Sequence, residues 1–287
     1  MVINSTLKAG SISYNGQSRF DNGKMFLVSG SSVETEGFKV AADEETPSEI
    51  YFLDSRLTPS NGGTTGSFEI GANITASVMG TSKDSASAIS MNTEVNGGTL
   101  NVQGYAAMNG ITLNNGAVNV VNKANSDFGI SKINSPINLG NITVENGILS
   151  LEEAAIVSDV TLNSGKLNII GDVETGALTL NGGTINFDAD STIDLGEENL
   201  ILGDNVAITL NVDSLDNIEG ITLFKNAGNV TGLDALTVTF VDATGAEKEA
   251  AVSFSNGSVV TGSVPEPTTA TLSLLALAGL AARRRRR

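Results

Sequence analysis

The chain of 287 residues has no cysteine, no histidine and no tryptophan, and only 5 prolines. Without cysteine or histidine there is no Cys/His zinc site, no thiolate nucleophile, no Ser-His-Asp relay and no disulfide framework. An enzyme made from this chain would be confined to carboxylates, lysine, arginine, tyrosine and hydroxyls. Positive charge is scarce too: 16 Lys and Arg stand against 32 Asp and Glu, a net charge of -16. Phosphates would be repelled, which argues against nucleic acid or an anionic membrane surface as a direct partner. Five of the basic residues form the run Arg283, Arg284, Arg285, Arg286 and Arg287, so the rest of the chain carries 11 positive against 32 negative charges, a balance of -21. Such a body stays soluble when extended and leaves room for divalent cations without specifying one. The first twenty residues, MVINSTLKAGSISYNGQSRF, lack both a basic start and an apolar stretch, so they are not a secretory signal peptide. Because the other end of the chain argues for export, a leader is expected either upstream of Met1 or already removed.

Glycine is plentiful, with 32 residues, and several of them mark a repeat of the form apolar-x-apolar-Asn-x-Gly-x-apolar-x-apolar. The copies are TEVNGGTLNV (93–102), ITLNNGAVNV (111–120), ITVENGILSL (142–151), VTLNSGKLNI (160–169) and LTLNGGTINF (178–187). Their central glycines, Gly98, Gly116, Gly147, Gly165 and Gly183, are spaced 18, 31, 18 and 18 residues apart. If the flanks are strands, side chains alternate, and four positions per copy face one way. Nineteen of those 20 positions are apolar, Thr93 being the exception, whereas overall composition would give about 8. The alternate positions hold a threonine rank (Thr112, Thr143, Thr161, Thr179) and an Asn/Ser rank (Asn101, Asn119, Ser150, Asn168, Asn186).

Two alternating strands around an Asn-x-Gly corner fit a hairpin or two sides of a solenoid coil. An isolated hairpin is marginal in water, whereas stacked identical rungs bury a continuous column, so the fixed period favours the solenoid. The expectation is an all-β protein: a parallel β-helix (β-solenoid) with coils of about 18 residues, β-rich caps and a short C-terminal hydrophobic helix. An antiparallel sandwich or meander is the competing arrangement. The 31-residue step contains the polar segment VNKANSDFGISKINSPINLGN, read as a loop or a degenerate coil. We divide the chain into 1–90, an irregular N-terminal β region or cap; 91–212, the solenoid repeats; 213–263, a C-terminal β cap; and 264–287, a separate C-terminal tail.

The last 24 residues change character: Pro265-Glu266-Pro267, an apolar run from Thr271 to Ala282, then five arginines. Pro-Glu-Pro stops the preceding strand, the apolar run is helix-prone, and the arginines hold its end on the cytoplasmic side. The 12 residues of the apolar run fall short of the roughly 20 that a permanent span needs. In this order the three features resemble the PEP-CTERM sorting signal of Gram-negative bacteria. The resemblance implies export through the Sec machinery, transient inner-membrane association through 271–282, and processing by an exosortase-type enzyme, leaving the mature form at the cell surface or outside the cell. The repeats separately resemble, at the level of architecture, the passenger β-helices of secreted surface proteins.

Parallel β-helices can carry carboxylate chemistry on polysaccharides, so Asp188, Asp190 and Asp194 in FDADSTIDLG are the candidate acid/base or Ca²⁺ residues. Asp188 and Asp190 share a face only if the strand continues past Phe187; otherwise they belong to a solvated acidic turn. Outside the tail the only arginines are Arg19 and Arg56, both ahead of the repeats, which leaves a uronate substrate without a nearby cation. The leading reading is therefore a structural or adhesin-like protein that is not an enzyme, without cofactor or metal, contacting polysaccharide or a surface layer. A β-helix polysaccharide lyase or glycoside hydrolase is the alternative.

Overall fold

A computed structural model describes residues 2–262 apart from short stretches, of which 16–23, 42–46, 60–66 and 123–136 are the longest internal ones; for 2–31 it describes strand backbone only. The described residues are all-β, with no helix, and their strands form three ladders visited in turn. One round of the chain shows the pattern. Ile142–Val144 belongs to the first ladder, Ile148–Glu152 to the second and Ala155–Val157 to the third; the next round repeats this as Val160–Leu162, Lys166–Ile170 and Asp172–Thr175. Each strand pairs in parallel with its counterpart in the next round: Val144 with Leu162, Leu149 with Leu167, Val157 with Thr175. The step is 18 residues in all three.

The pairing excludes the hairpin reading of the repeat. The strands flanking the Gly147 corner both pair with Ile111–Val121, at different points along it, and then with the next round. A corner rather than a hairpin turn forms because each flank finds a full-length partner above and below, satisfying every backbone group along the ladder. All 20 positions expected to face inward are buried, Thr93 included. At roughly 1.5–3 kcal/mol for each buried Val, Leu or Ile, this column is the main stabilising term. The Thr93 hydroxyl has no hydrogen-bond partner, nor do those of Ser55 and Thr175.

The corners stack as tightly as the strands. Gly165 has φ +89°, and a Cβ there would lie 2.4 Å from the Gly147 carbonyl oxygen. Gly147 and Gly183 are placed alike, so only glycine combines the left-handed backbone with this approach. In the first copy the positive φ falls on Gly97 rather than Gly98, where the register slips between Val95 and Thr99.

The 31-residue step is one round with an insertion, not a degenerate extra coil. Leu113 pairs directly with Val144, and the third-ladder strand Ile137–Leu139 is in place. The surplus falls between Asn122 and Ile137, outside the described residues. The ladders also run past the boundaries expected for the repeat. Residues 1–90 contribute Ser32–Thr35, Gly37–Ala41, Ser48–Leu53, Arg56–Pro59, Ser67–Gly71 and Ile74–Gly80, which pair in parallel with one another and into the repeats. At the other end the parallel pairing continues through Thr237–Asp242, beyond 212. Antiparallel pairing starts only there: Glu247–Ser255 folds back on Thr237–Asp242, and Ser258–Thr261 lies between Glu247–Ser255 and Thr222–Lys225.

Candidate functional site: the end of the body and the sorting tail

The body ends in a clamp. Ser258–Thr261 is held as the final strand by antiparallel pairing, and Thr261, 2% exposed, makes four hydrogen bonds to one turn. Its Oγ1 donates to the Ile218 carbonyl at 2.6 Å and accepts the Ile221 N–H at 3.0 Å. Its N–H donates to the Ile221 carbonyl at 3.0 Å and its carbonyl accepts the Gly220 N–H at 2.8 Å. Gly262 N–H donates to the Ala251 carbonyl at 2.8 Å. The chain therefore leaves the sheet three residues before Pro265. Pro265, Glu266 and Pro267, the apolar run 271–282 with its expected helix, and Arg283, Arg284, Arg285, Arg286 and Arg287 lie outside the described residues. Among the described residues no helix is long and apolar enough to cross a membrane.

The antiparallel pair next to the clamp turns at Asp242-Ala243-Thr244-Gly245-Ala246. Asp242 Oδ1 accepts from Thr244 N–H at 2.8 Å, Thr244 Oγ1 at 2.6 Å and Ala246 N–H at 3.0 Å. These donors, the Thr244 hydroxyl first, hold the Asp242 carboxyl below its ordinary range.

The sequence candidates for carboxylate chemistry separate. The strand stops at Phe187; Asp188 and Asp190 are exposed in the turn that follows, and Asp190 has φ +58°. They do not share a strand face, so the acidic-turn reading holds. Asp194 sits in the next third-ladder strand, where Asn226 Nδ2 donates to both its oxygens at 2.9 and 3.0 Å. Lys225 Nζ stands 3.9 Å from Asp194 and 3.8 Å from Asp172, and Thr192 Oγ1 donates to Asp172. The sequence reading missed this network because the third ladder carries no repeat signature, and its register, 20 residues between the strands of Asp172 and Asp194 and 31 between Asp194 and Lys225, follows no fixed period. Beside it runs an open groove of 490 Å³ lined by Val157, Glu174, Thr175, Asp194 and Asn226, among others. Among the described residues no group of three or more acidic side chains is placed to hold a metal ion. Arg56 is exposed at the start of its strand, and Arg19 lies outside the described residues.

The outward ranks are internally bonded. Asn119 donates to Asn101 at 3.0 Å, Asn186 to Asn168 at 2.9 Å and Asn168 to Ser150 at 3.2 Å. A second file at the corners links Asn114 to Asn96 at 2.8 Å and Asn181 to Asn163 at 2.7 Å. Each amide spends a donor or an acceptor along the stack, which makes the rank part of the scaffold. In the N-terminal rounds Tyr51 donates to Glu49; burial first, then that carboxylate, pushes its phenol well above the ordinary value.

Comparison with known proteins finds a match at the tail. The PEP-CTERM protein-sorting motif matches residues 263–287, the segment leaving the Thr261 clamp. No curated protein and no solved structure matches the chain. The motif indicates an exported, surface-directed protein that is processed by an exosortase.

Proposed function

We propose that this chain is a structural, adhesin-like protein of the cell surface or extracellular matrix. Its body is a β-solenoid, a parallel β-helix that serves as a stiff acidic spacer in a polysaccharide layer and takes no part in catalysis. The observation that carries the reading is the parallel pairing of successive rounds on all three ladders, with an 18-residue register shared by the three in the regular rounds, joined to a sorting tail. The third ladder has ten described strands from Thr6–Lys8 to Thr222–Lys225, which at about 4.8 Å per rung makes a rod of roughly 50 Å. The terminal antiparallel strands suit a cap, since they cover strand edges that would otherwise pair with other chains. Before processing, the apolar run 271–282 holds the Sec-exported precursor in the inner membrane, and Arg283 to Arg287 keep its end in the cytoplasm.

The test is the C-terminus of the mature protein. In a host with a working exosortase, mass spectrometry of surface or released material is expected to find chains ending near Pro265–Pro267, without the arginines. Replacing all five arginines with serine is expected to let unprocessed precursor through. Recovery of wild-type chain still ending in Arg287 from the surface would overturn the sorting reading. A released form whose small-angle scattering fits a sphere would overturn the rod.

A further inference from the structure

The reach of the chain between the clamp and the motif is short. From Gly262 to Glu266 four residues span at most about 14 Å even when fully extended. A peptide-processing enzyme binds its substrate extended, with several residues on each side of the bond it acts on. With the last strand docked, only Gly262, Ser263 and Val264 separate Thr261 from Pro265. The end of the body is no loose tether: Thr261 is buried, and its hydroxyl and both backbone groups are all bonded to residues 218–221. Full entry of Pro-Glu-Pro into an enclosed cleft therefore competes with docking of Ser258–Thr261.

We propose that Thr261 is a positioning residue for processing: its clamp on residues 218–221 limits the reach of the motif from the folded body to about 14 Å, and release of Ser258–Thr261 is the step that admits the motif to the enzyme. This rests on the sorting reading above. The clamp assembles only after 218–225 and 247–255 are in place, because those segments supply its partners. Processing of this chain is thus tied to the state of its own cap. A completed cap slows removal of the tail and lengthens the membrane-held stage; a frayed cap shortens it.

Pulse–chase of the full-length chain in an exosortase-bearing host, with the mature C-terminus identified by mass spectrometry, tests this. Thr261→Val keeps the shape and removes both Oγ1 hydrogen bonds; conversion of precursor is expected to run about 3- to 10-fold faster, the population change from losing about one net hydrogen bond. Inserting Gly-Ser-Gly-Ser after Gly262 leaves the clamp intact and adds roughly 14 Å of reach. It is expected to accelerate conversion as well, and, when combined with Thr261→Val, to abolish the difference that the substitution makes on its own. Unchanged half-times in both variants, slower conversion in either, or an undiminished effect of Thr261→Val in the linker background would each overturn the clamp. The linker variant decides the matter even if Thr261→Val impairs folding. If wild-type chain is never shortened, the sorting reading fails instead.

Discussion

The rounds between Thr93 and Phe187 and those between Ser32 and Gly80 share three ladders, yet they solve the packing problem differently. In the regular rounds the corners are short: three residues separate Val160–Leu162 from Lys166–Ile170, one separates that strand from Asp172–Thr175, and two separate Ala155–Val157 from Val160–Leu162. The interior is aliphatic and the corner glycines stack on one another. In the N-terminal rounds six residues separate Gly37–Ala41 from Ser48–Leu53, and seven separate Arg56–Pro59 from Ser67–Gly71. There the core is aromatic, with Phe52 5.4 Å from Phe68 and 6.0 Å from Phe38, ring centre to ring centre, in edge-on contacts. Their corner at Asp54 is tied by side chains: Asp54 accepts from Thr81 N–H and Oγ1, both at 2.7 Å, and buried Ser87 Oγ donates to the Met79 carbonyl at 2.6 Å. The comparison teaches that the ladder is the invariant and the period is not. A constant period needs minimal corners, whereas longer corners need large side chains and local polar ties.

The largest effect expected is at the core. Leu167→Asp, in the regular column, buries a carboxylate without a partner and is expected to cost at least about 4 kcal/mol. Phe52→Ala removes the ring that touches both other phenylalanines and is expected to cost about 3–5 kcal/mol. Chemical denaturation checks both. If Phe52→Ala is mild, the aromatic cluster does not fill the N-terminal rounds in the way argued.

Corner glycines separate the regions next. Gly165→Ala meets a left-handed φ and the Gly147 backbone together, and is expected to cost about 1–3 kcal/mol. Gly37→Ala, in the N-terminal rounds, meets nothing within 4 Å and is expected to be neutral or stabilising by about 0.4–1 kcal/mol. Equal melting shifts would break the distinction between stacked and open corners.

A smaller change is expected in the asparagine rank. Asn168→Asp keeps an acceptor for Asn186 but loses the donor to Ser150, costing about 1 kcal/mol, whereas solvated side chains would predict almost nothing. Thermal melts of Asn168→Asp beside Thr161→Ser, which probes the threonine rank, check this.

The smallest effect concerns pH. The folded state depresses the Asp242 carboxyl, so its contribution is present above the unfolded carboxylate pKa of about 4 and is lost as pH falls through the lower folded value. Asp242→Ala is expected to lower the melting temperature slightly at pH 7, with the gap closing as pH falls from the unfolded carboxylate value through the lower folded one. A gap independent of pH would assign the effect to turn geometry rather than charge.

Two of the three ladders were legible because their strands alternate around a glycine corner, a signal that survives in residues such as Leu162, Gly165 and Leu167. The third was not. Its strands are three or four residues long, and one of them, Asp172–Thr175, holds two acidic residues and one buried valine, too little for any pattern. The N-terminal rounds hid for a related reason: with corners of six and seven residues no period repeats, and Phe38, Phe52 and Phe68 look like unrelated apolar positions.

The amino-acid sequence by itself determined the all-β class, the twenty inward positions, the acidic surface and the sorting tail, because alternation, composition and a terminal motif are properties of neighbouring residues. Tertiary structure alone decided that the corners join ladders rather than hairpins. It also decided that Asp188 and Asp190 part at a turn, that Asp172, Asp194 and Lys225 meet, and that Thr261 locks the chain with only three residues between it and Pro265. Each of these depends on which rung lies beside which, and pairing between rounds 18 to 43 residues apart is set by stacking energy that no local stretch of sequence contains.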